Sequence, residues 1–153
     1  MVANVKTGKT LLLAIQNEIK ARNFYLAIAK KVKNPLVRRK FISLADDEVE
    51  HRQALSRLYW AQTGTEVGDL PEGEDVQTPD VENMSLTEAI ELAIEAEKKA
   101  VELYTRMAQE TDDPRSQWFL EYIAEFENGH YETLTAELER IKNHPGWEDS
   151  EVS

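Results

Sequence analysis

The chain contains no cysteine. Without thiols there is no disulfide framework, no thiolate metal ligand and no cysteine nucleophile, so any metal bound here is held through oxygen and imidazole. No apolar run approaches the roughly 20 residues of a membrane helix, and Met1 to Thr10 lacks the apolar stretch and small-residue cleavage pattern of a secretory signal. A cytoplasmic protein with no membrane contact is therefore expected. Positive charge is also scarce: 18 Lys and Arg stand against 29 Asp and Glu, a formal net charge of -11. That balance argues against nucleic acid and anionic lipid as partners, because both need a basic surface to neutralise phosphates. It suits cation uptake, although most exposed carboxylates read simply as a solvated surface.

At 153 residues, with 41% hydrophobic and 31% charged, the chain fits one domain with a real core. A first helix is expected from about Thr7 to Lys33, with Leu11, Ala14, Ala21, Tyr25, Ile28 and Val32 recurring at steps of three and four. Asn34-Pro35 reads as an N-cap followed by proline at the first helical position, so a second helix starts almost without a loop. The two must be antiparallel neighbours. The second helix carries Val37, Phe41, Leu44, Leu55 and Leu58 on one face and ends near Thr63-Gly64. Gly68, Pro71, Gly73 and Pro79 then sit among acids with no sustained period, which marks a connection long enough to cross a bundle. Ser85-Leu-Thr-Glu88 is a capping box opening a third helix, and Asp113-Pro114 repeats the proline device for a fourth. Pro145-Gly146 stops it. The expectation is a single all-α domain over residues 1–153, a ferritin-like four-helix bundle. It comprises one hairpin over about 7–63, a long crossover loop over 64–84, a second hairpin over about 85–142 and a flexible tail over 143–153.

The two hairpins are copies. An offset of 79 (97 less 18) carries Leu13, Ala14, Ile15, Glu18, Ala21, Tyr25, Pro35, Glu48 and His51 onto identical residues at Leu92, Ala93, Ile94, Glu97, Ala100, Tyr104, Pro114, Glu127 and His130. Two Glu-x-x-His motifs, Glu48 to His51 and Glu127 to His130, thus each lie 30 residues beyond a lone glutamate, Glu18 or Glu97. All six occupy core positions of their helices, as in Ala14-Glu18-Ala21 and Leu44-Glu48-His51-Leu55. Burying one unpaired carboxylate costs several kcal/mol, and a domain is stable by only about 5–15 kcal/mol, so four such glutamates in one layer require a cation. Two divalent ions cancel four carboxylate charges, and residues at i and i+3 share one helical face. One Glu from each of two helices plus Glu-x-x-His from the other two is the general ligand scheme of ferritin-like dimetal proteins.

Neighbouring residues leave alternatives. Tyr25 and Tyr104, two turns beyond Glu18 and Glu97, either hydrogen-bond ligand carboxylates, carry an oxidised intermediate, or are plain core tyrosines. Asp47 is placed to orient a histidine of the opposite hairpin, but its counterpart is Phe126. Gly129 weakens its helix by about 1 kcal/mol relative to Ala and marks either a local distortion or close packing.

The segments Glu18-Ile-Lys-Ala-Arg-Asn-Phe-Tyr25 and Ala45-Asp-Asp-Glu-Val-Glu-His51 resemble the first- and second-helix signatures of the rubrerythrin family, and the likeness extends over about residues 7–142. The six-ligand pattern by itself is shared with bacterioferritins. The resemblance implies two iron ions per chain, with Glu48 and Glu127 bridging, Glu18 and Glu97 terminal, and His51 and His130 each on one iron. Manganese or zinc would accept the same donors. It further implies reduction of hydrogen peroxide or dioxygen, and a homodimer. Two departures stand out: Ala100 occupies the position of a further glutamate usual in rubrerythrins, and with no cysteine there is no rubredoxin module. Electrons would then come from a separate donor protein such as a rubredoxin. The alternatives are a ferroxidase that handles iron, against which the absence of a fifth helix speaks, and a di-iron oxygenase acting on an organic substrate.

Overall fold

The computed structural model describes residues 5–68 and 79–149. Four long helices make up nearly all of them: α1 (Val5–Lys31), α2 (Pro35–Thr63), α3 (Leu86–Glu110) and α4 (Pro114–Asn143). Helix ends fall where the local chemistry puts them. The Asn34 side chain accepts from the backbone N–H groups of Leu36 and Val37 at 2.9 and 3.3 Å, with Pro35 pre-set for the first turn. Asp113 does the same for α4, accepting from the Ser116 N–H at 3.2 Å and its hydroxyl at 2.6 Å. Both halves of the Ser85–Glu88 capping box form at the start of α3. Gly64, at φ +70°, closes α2 by donating its N–H to the Trp60 carbonyl, a left-handed turn that favours glycine.

Each helix packs most closely on its hairpin partner, α1 on α2 and α3 on α4, and the two hairpins close into a four-helix bundle. Its core is two apolar clusters. One gathers Tyr25, Ile28, Val32, Val37, Phe41, Ile90, Leu134 and Ile141; the other gathers Leu11, Ile15, Leu55, Tyr104, Met107, Leu120 and Ile123. Each fully buried Leu, Ile or Phe contributes about 1.5–3 kcal/mol, so these clusters hold the bundle at both ends. On α2, α3 and α4 the Glu and His candidates fall between residues of the two clusters, and on α1 Glu18 lies at the boundary. The polar layer is sandwiched.

Two details differ from the sequence reading. Helix α1 ends at Lys31, two residues early, because Pro35 has no N–H to continue the ladder and holds Asn34 in extended backbone; Arg38 then satisfies the freed Val32 carbonyl through its Nε (3.1 Å) and Nη2 (2.6 Å). The tail expected to be flexible over 143–153 is tied down as far as Asp149. A 3-10 turn at Trp147–Asp149 sets the Glu148 carbonyl to accept the N–H groups of Lys33 and Asn34 at 3.1 and 3.0 Å, while Asn34 Nδ2 donates to the Trp147 carbonyl at 3.0 Å. The three-residue link between α1 and α2 leaves these backbone donors without helical partners, and the tail supplies them. Residues 150–153, and 69–78 of the crossover, lie outside the described residues. The crossover ends in a 3-10 turn at Val81–Asn83 whose Val81 is buried against the first core cluster. Among the described residues no helix is long and apolar enough to cross a membrane.

Candidate metal centre

The structure brings all six sequence candidates to one place: Glu18 from α1, Glu48 and His51 from α2, Glu97 from α3, Glu127 and His130 from α4. None is more than 5% exposed. They form two sets of four donors, Glu18, Glu48, His51, Glu127 and Glu48, Glu97, Glu127, His130, each with its donor atoms within 4.8 Å of one another. Glu48 and Glu127 belong to both. The Nδ1 of His51 faces Glu127 at 3.2 Å, Glu48 at 3.5 Å and Glu18 at 3.7 Å; that of His130 faces Glu48 at 3.3 Å, Glu127 at 3.4 Å and Glu97 at 3.5 Å. None of these contacts has hydrogen-bond alignment, which leaves one buried polar atom of every member, from Glu18 Oε2 to His130 Nδ1, without a partner. Buried polar groups are rarely left so. Six orphaned donors of oxygen and nitrogen type, converging in two groups with shared carboxylates, fit a pair of hard or borderline divalent ions.

Electrostatics lead to the same conclusion. Burial, then the charge of Glu18, holds the Glu48 carboxyl well above its ordinary range, and burial with Glu18 and Glu48 does so for Glu127. Burial opposes charge on His51, yet the surrounding Glu127, Glu18 and Glu48 outweigh it and push the imidazole up to about 12. His130 is raised to about 9 by Glu97, Glu127 and Asp47 against the same burial penalty. A cluster with no cation therefore retains protons. A metal ion replaces them as the positive charge.

The supporting side chains cross between the hairpins. Tyr104 donates its hydroxyl to Glu18 Oε1 at 2.5 Å, and Tyr25 donates to Glu97 Oε1. Each tyrosine serves the lone glutamate of the other half. Burial first, and the nearby carboxylates second, raise both phenols well above their usual value, so they remain protonated donors. Asp47 meets the opposite hairpin: its Oδ2 lies 2.9 Å from His130 Nε2. A proton on Nε2 directed to that carboxylate leaves the Nδ1 lone pair facing the cluster. Phe126, the counterpart of Asp47, lies edge-on against both imidazoles, with centroids 4.9 Å from His51 and 5.5 Å from His130.

Gly129 corrects its sequence reading. A Cβ there would meet nothing within 4 Å and α4 runs unbroken past it, so it marks neither close packing nor distortion. It lines an open groove of about 540 Å³ with Lys40, Asp47, Tyr122, Phe126 and His130. A second cavity, of about 330 Å³, lies between α1 and α3 and reaches Glu18, Glu48, Glu97 and Glu127 beside Ala21 and Ala100. Glu137 escaped the sequence reading altogether: it is 3% exposed and pairs with Lys40 at 3.1 Å and Arg140 at 3.2 Å. The spacing Leu134-Glu137-Ile141 placed it on the core stripe. Its duplicate position is Leu58, so the repeat itself gave no hint of a charge there.

A helical bundle with a carboxylate and histidine cluster at its centre defines a ferritin-like domain with a dimetal type of site. The sequence matches the Rubrerythrin family over residues 9–138, and the chain belongs to that family. It is similar to the uncharacterized protein YhjR of Bacillus subtilis (strain 168), 26% identical over 122 residues that cover 80% of this chain and 79% of that protein. Among solved structures it is similar to a hypothetical protein from Pyrococcus furiosus, with a TM-score of 0.76, 32% identity and 90% of each chain covered. The bacterioferritin of Desulfovibrio desulfuricans, described as having a diiron site in different catalytic states, shares the fold: TM-score 0.78, 21% identity, covering 91% of this chain and 81% of that one.

Proposed function

We propose that this chain binds two iron ions and reduces hydrogen peroxide, with dioxygen as the slower oxidant. The observation that carries the reading is the pair of four-donor sets sharing Glu48 and Glu127, with an orphaned atom on every member. Glu48 and Glu127, common to both donor sets, would serve both ions; Glu18 and His51 would complete the ligands of one, and Glu97 and His130 those of the other. Such a pair supplies two electrons at one place and polarises the oxygens of the oxidant, so no protein nucleophile is needed. The protein's own part is positional. Tyr25 and Tyr104 fix the terminal carboxylates, Asp47 fixes the His130 ring, and the cavity beside Ala21 and Ala100 admits a small oxidant to the cluster. Electrons arrive from a separate donor such as a rubredoxin, since the chain has no cysteine with which to build its own iron–sulfur centre. We further propose a homodimer.

Iron handling is the second reading, favoured by the acidic surface and by the fold shared with a bacterioferritin. Against it, residues 144–149 turn back onto the α1–α2 corner, where the Glu148 carbonyl accepts from Lys33 and Asn34, so the segment that follows α4 is engaged within its own bundle. An oxygenase is the third; a cavity of about 330 Å³ is large enough for a small organic molecule. An anaerobic Fe(II) titration followed by rapid mixing with peroxide or air separates them. Two irons per chain, oxidised faster by peroxide than by air and recycled only when a reductant is added, is the expected result. Equal rates with both oxidants and uptake of many irons per chain would replace it with the iron-handling reading.

A further inference from the structure

Helix α4 carries a run of aromatic rings at four-residue steps that leads from solvent to the cluster. Trp118 is 68% exposed and stacks on Tyr122, centroids 5.8 Å apart and planes 14° apart. Tyr122, half exposed, lies 5.8 Å from Phe126, and Phe126 touches the rings of both His51 and His130. The run is not inherited from the duplication. The matching positions on α2, 79 residues earlier, are Arg39, Ser43 and Asp47. Nor does core packing explain it, because Trp118 and Tyr122 face outward, and Tyr122 and Phe126 line the open groove beside His130.

We propose that Trp118, Tyr122 and Phe126 form a one-electron path between the surface of α4 and the imidazoles of His51 and His130. The proposal rests on the redox reading above and deepens it by naming the route. Cleaving the O–O bond of hydrogen peroxide to give two waters takes two electrons and two protons. When the metal pair holds only one electron to give, the indole of Trp118 or the phenol of Tyr122 supplies the second through Phe126. The oxidised ring releases its N–H or O–H proton to bulk water, which also provides the other proton. An external one-electron reductant arriving at Trp118 then refills the ring. Phe126 is the contact that closes the gap and is not itself oxidised.

Trp60 provides an internal control. It is 59% exposed, and it lies nine residues along α2 from His51 (60 less 51), as Trp118 lies nine along α4 from Glu127 (127 less 118). At 1.5 Å per residue both are about 13 Å along their helices from a cluster residue. No ring contact joins Trp60 to the cluster among the described residues. The test is to poise the iron-loaded full chain with half the reductant needed for full reduction, so that pairs with a single electron to give are present, expose it to peroxide without further donor and map oxidised side chains by peptide mass spectrometry, with a zinc-loaded sample as blank. Oxidation is expected on Trp118 and Tyr122 several-fold above Trp60, absent with zinc, and falling at Trp118 to the Trp60 level in Tyr122→Leu with iron content unchanged. Equal oxidation of Trp60 and Trp118 in the wild type overturns the path while leaving peroxide reduction intact. Failure of the iron-loaded wild type to consume peroxide overturns the underlying reading and the path with it.

Discussion

The two hairpins present the same residues to the centre and different residues behind it. Glu18, Glu48 and His51 on one side match Glu97, Glu127 and His130 on the other, and the tyrosines are exchanged symmetrically across the bundle. One layer out, the likeness ends. Asp47 of the first hairpin hydrogen-bonds His130, whereas its counterpart Phe126 lays an apolar edge on His51. Leu58 matches the buried and paired Glu137, and Arg39 and Ser43 match the exposed Trp118 and Tyr122. Duplication was retained where both halves must satisfy one shared charge problem. It was free to diverge where each half has its own environment, and that divergence makes the two donor sets chemically distinct.

The comparison breaks most completely at the shared carboxylates. Glu48→Ala or Glu127→Ala removes a member of both donor sets, so each is expected to lose both metal ions, while Glu18→Ala loses one. Metal analysis after desalting reads the difference, and retention of two ions by the Glu48 variant would end the bridging assignment.

The next effect is on pH dependence. For His51 and His130 the folded-state values, about 12 and about 9, lie above the ordinary 6.5, so the stability they contribute is fully present below pH 6.5. It is lost as pH rises, for His130 through about 9 and for His51 through about 12, at up to about 1.4 kcal/mol per pH unit for each group. Glu48 and Glu127, raised above 4.5, act in the same direction from that pH upward. The metal-free protein should therefore show a Tm that falls from pH 5 to pH 9. Because metal uptake displaces these protons, the Tm gained on adding metal should grow over the same range. A metal-free Tm that rises with pH would contradict the protonated cluster.

A smaller effect separates the two histidines. Asp47→Asn weakens the hold on His130 without touching His51, and such a partner typically supports metal affinity by about 10–100-fold. Calorimetric titration should show one of two equivalents weakened. Weakening of both equally would mean that Asp47 acts on the bundle and not on one ring. The smallest effect is expected at Glu137→Leu, which gives the second hairpin the residue the first already has. Lys40 and Arg140 are each partly exposed and regain water, so the urea midpoint should correspond to a change within about 1 kcal/mol. A loss of several kcal/mol would make the Glu137 pairing a structural requirement of α4.

The amino-acid sequence determined the helices, their caps and the existence of the charged layer, because each is written in local periods. Asn34-Pro35 and Asp113-Pro114 cap through atoms two or three residues away, Glu-x-x-His puts two donors on one face within a single turn, and a constant offset of 79 aligns the two hairpins. Its place next to Glu48 also marked Asp47 as a candidate partner for a histidine of the opposite hairpin. What the tertiary structure alone decided are the partners across the bundle: Tyr25 on Glu97, Tyr104 on Glu18, Phe126 against both imidazoles, Lys40 on Glu137, and Glu148 on the α1–α2 corner. These contacts join residues 72 to 115 positions apart, except for Phe126 with His130. A helical period records which face a side chain occupies, but the neighbour it meets there is set by how separate helices rotate and dock against one another.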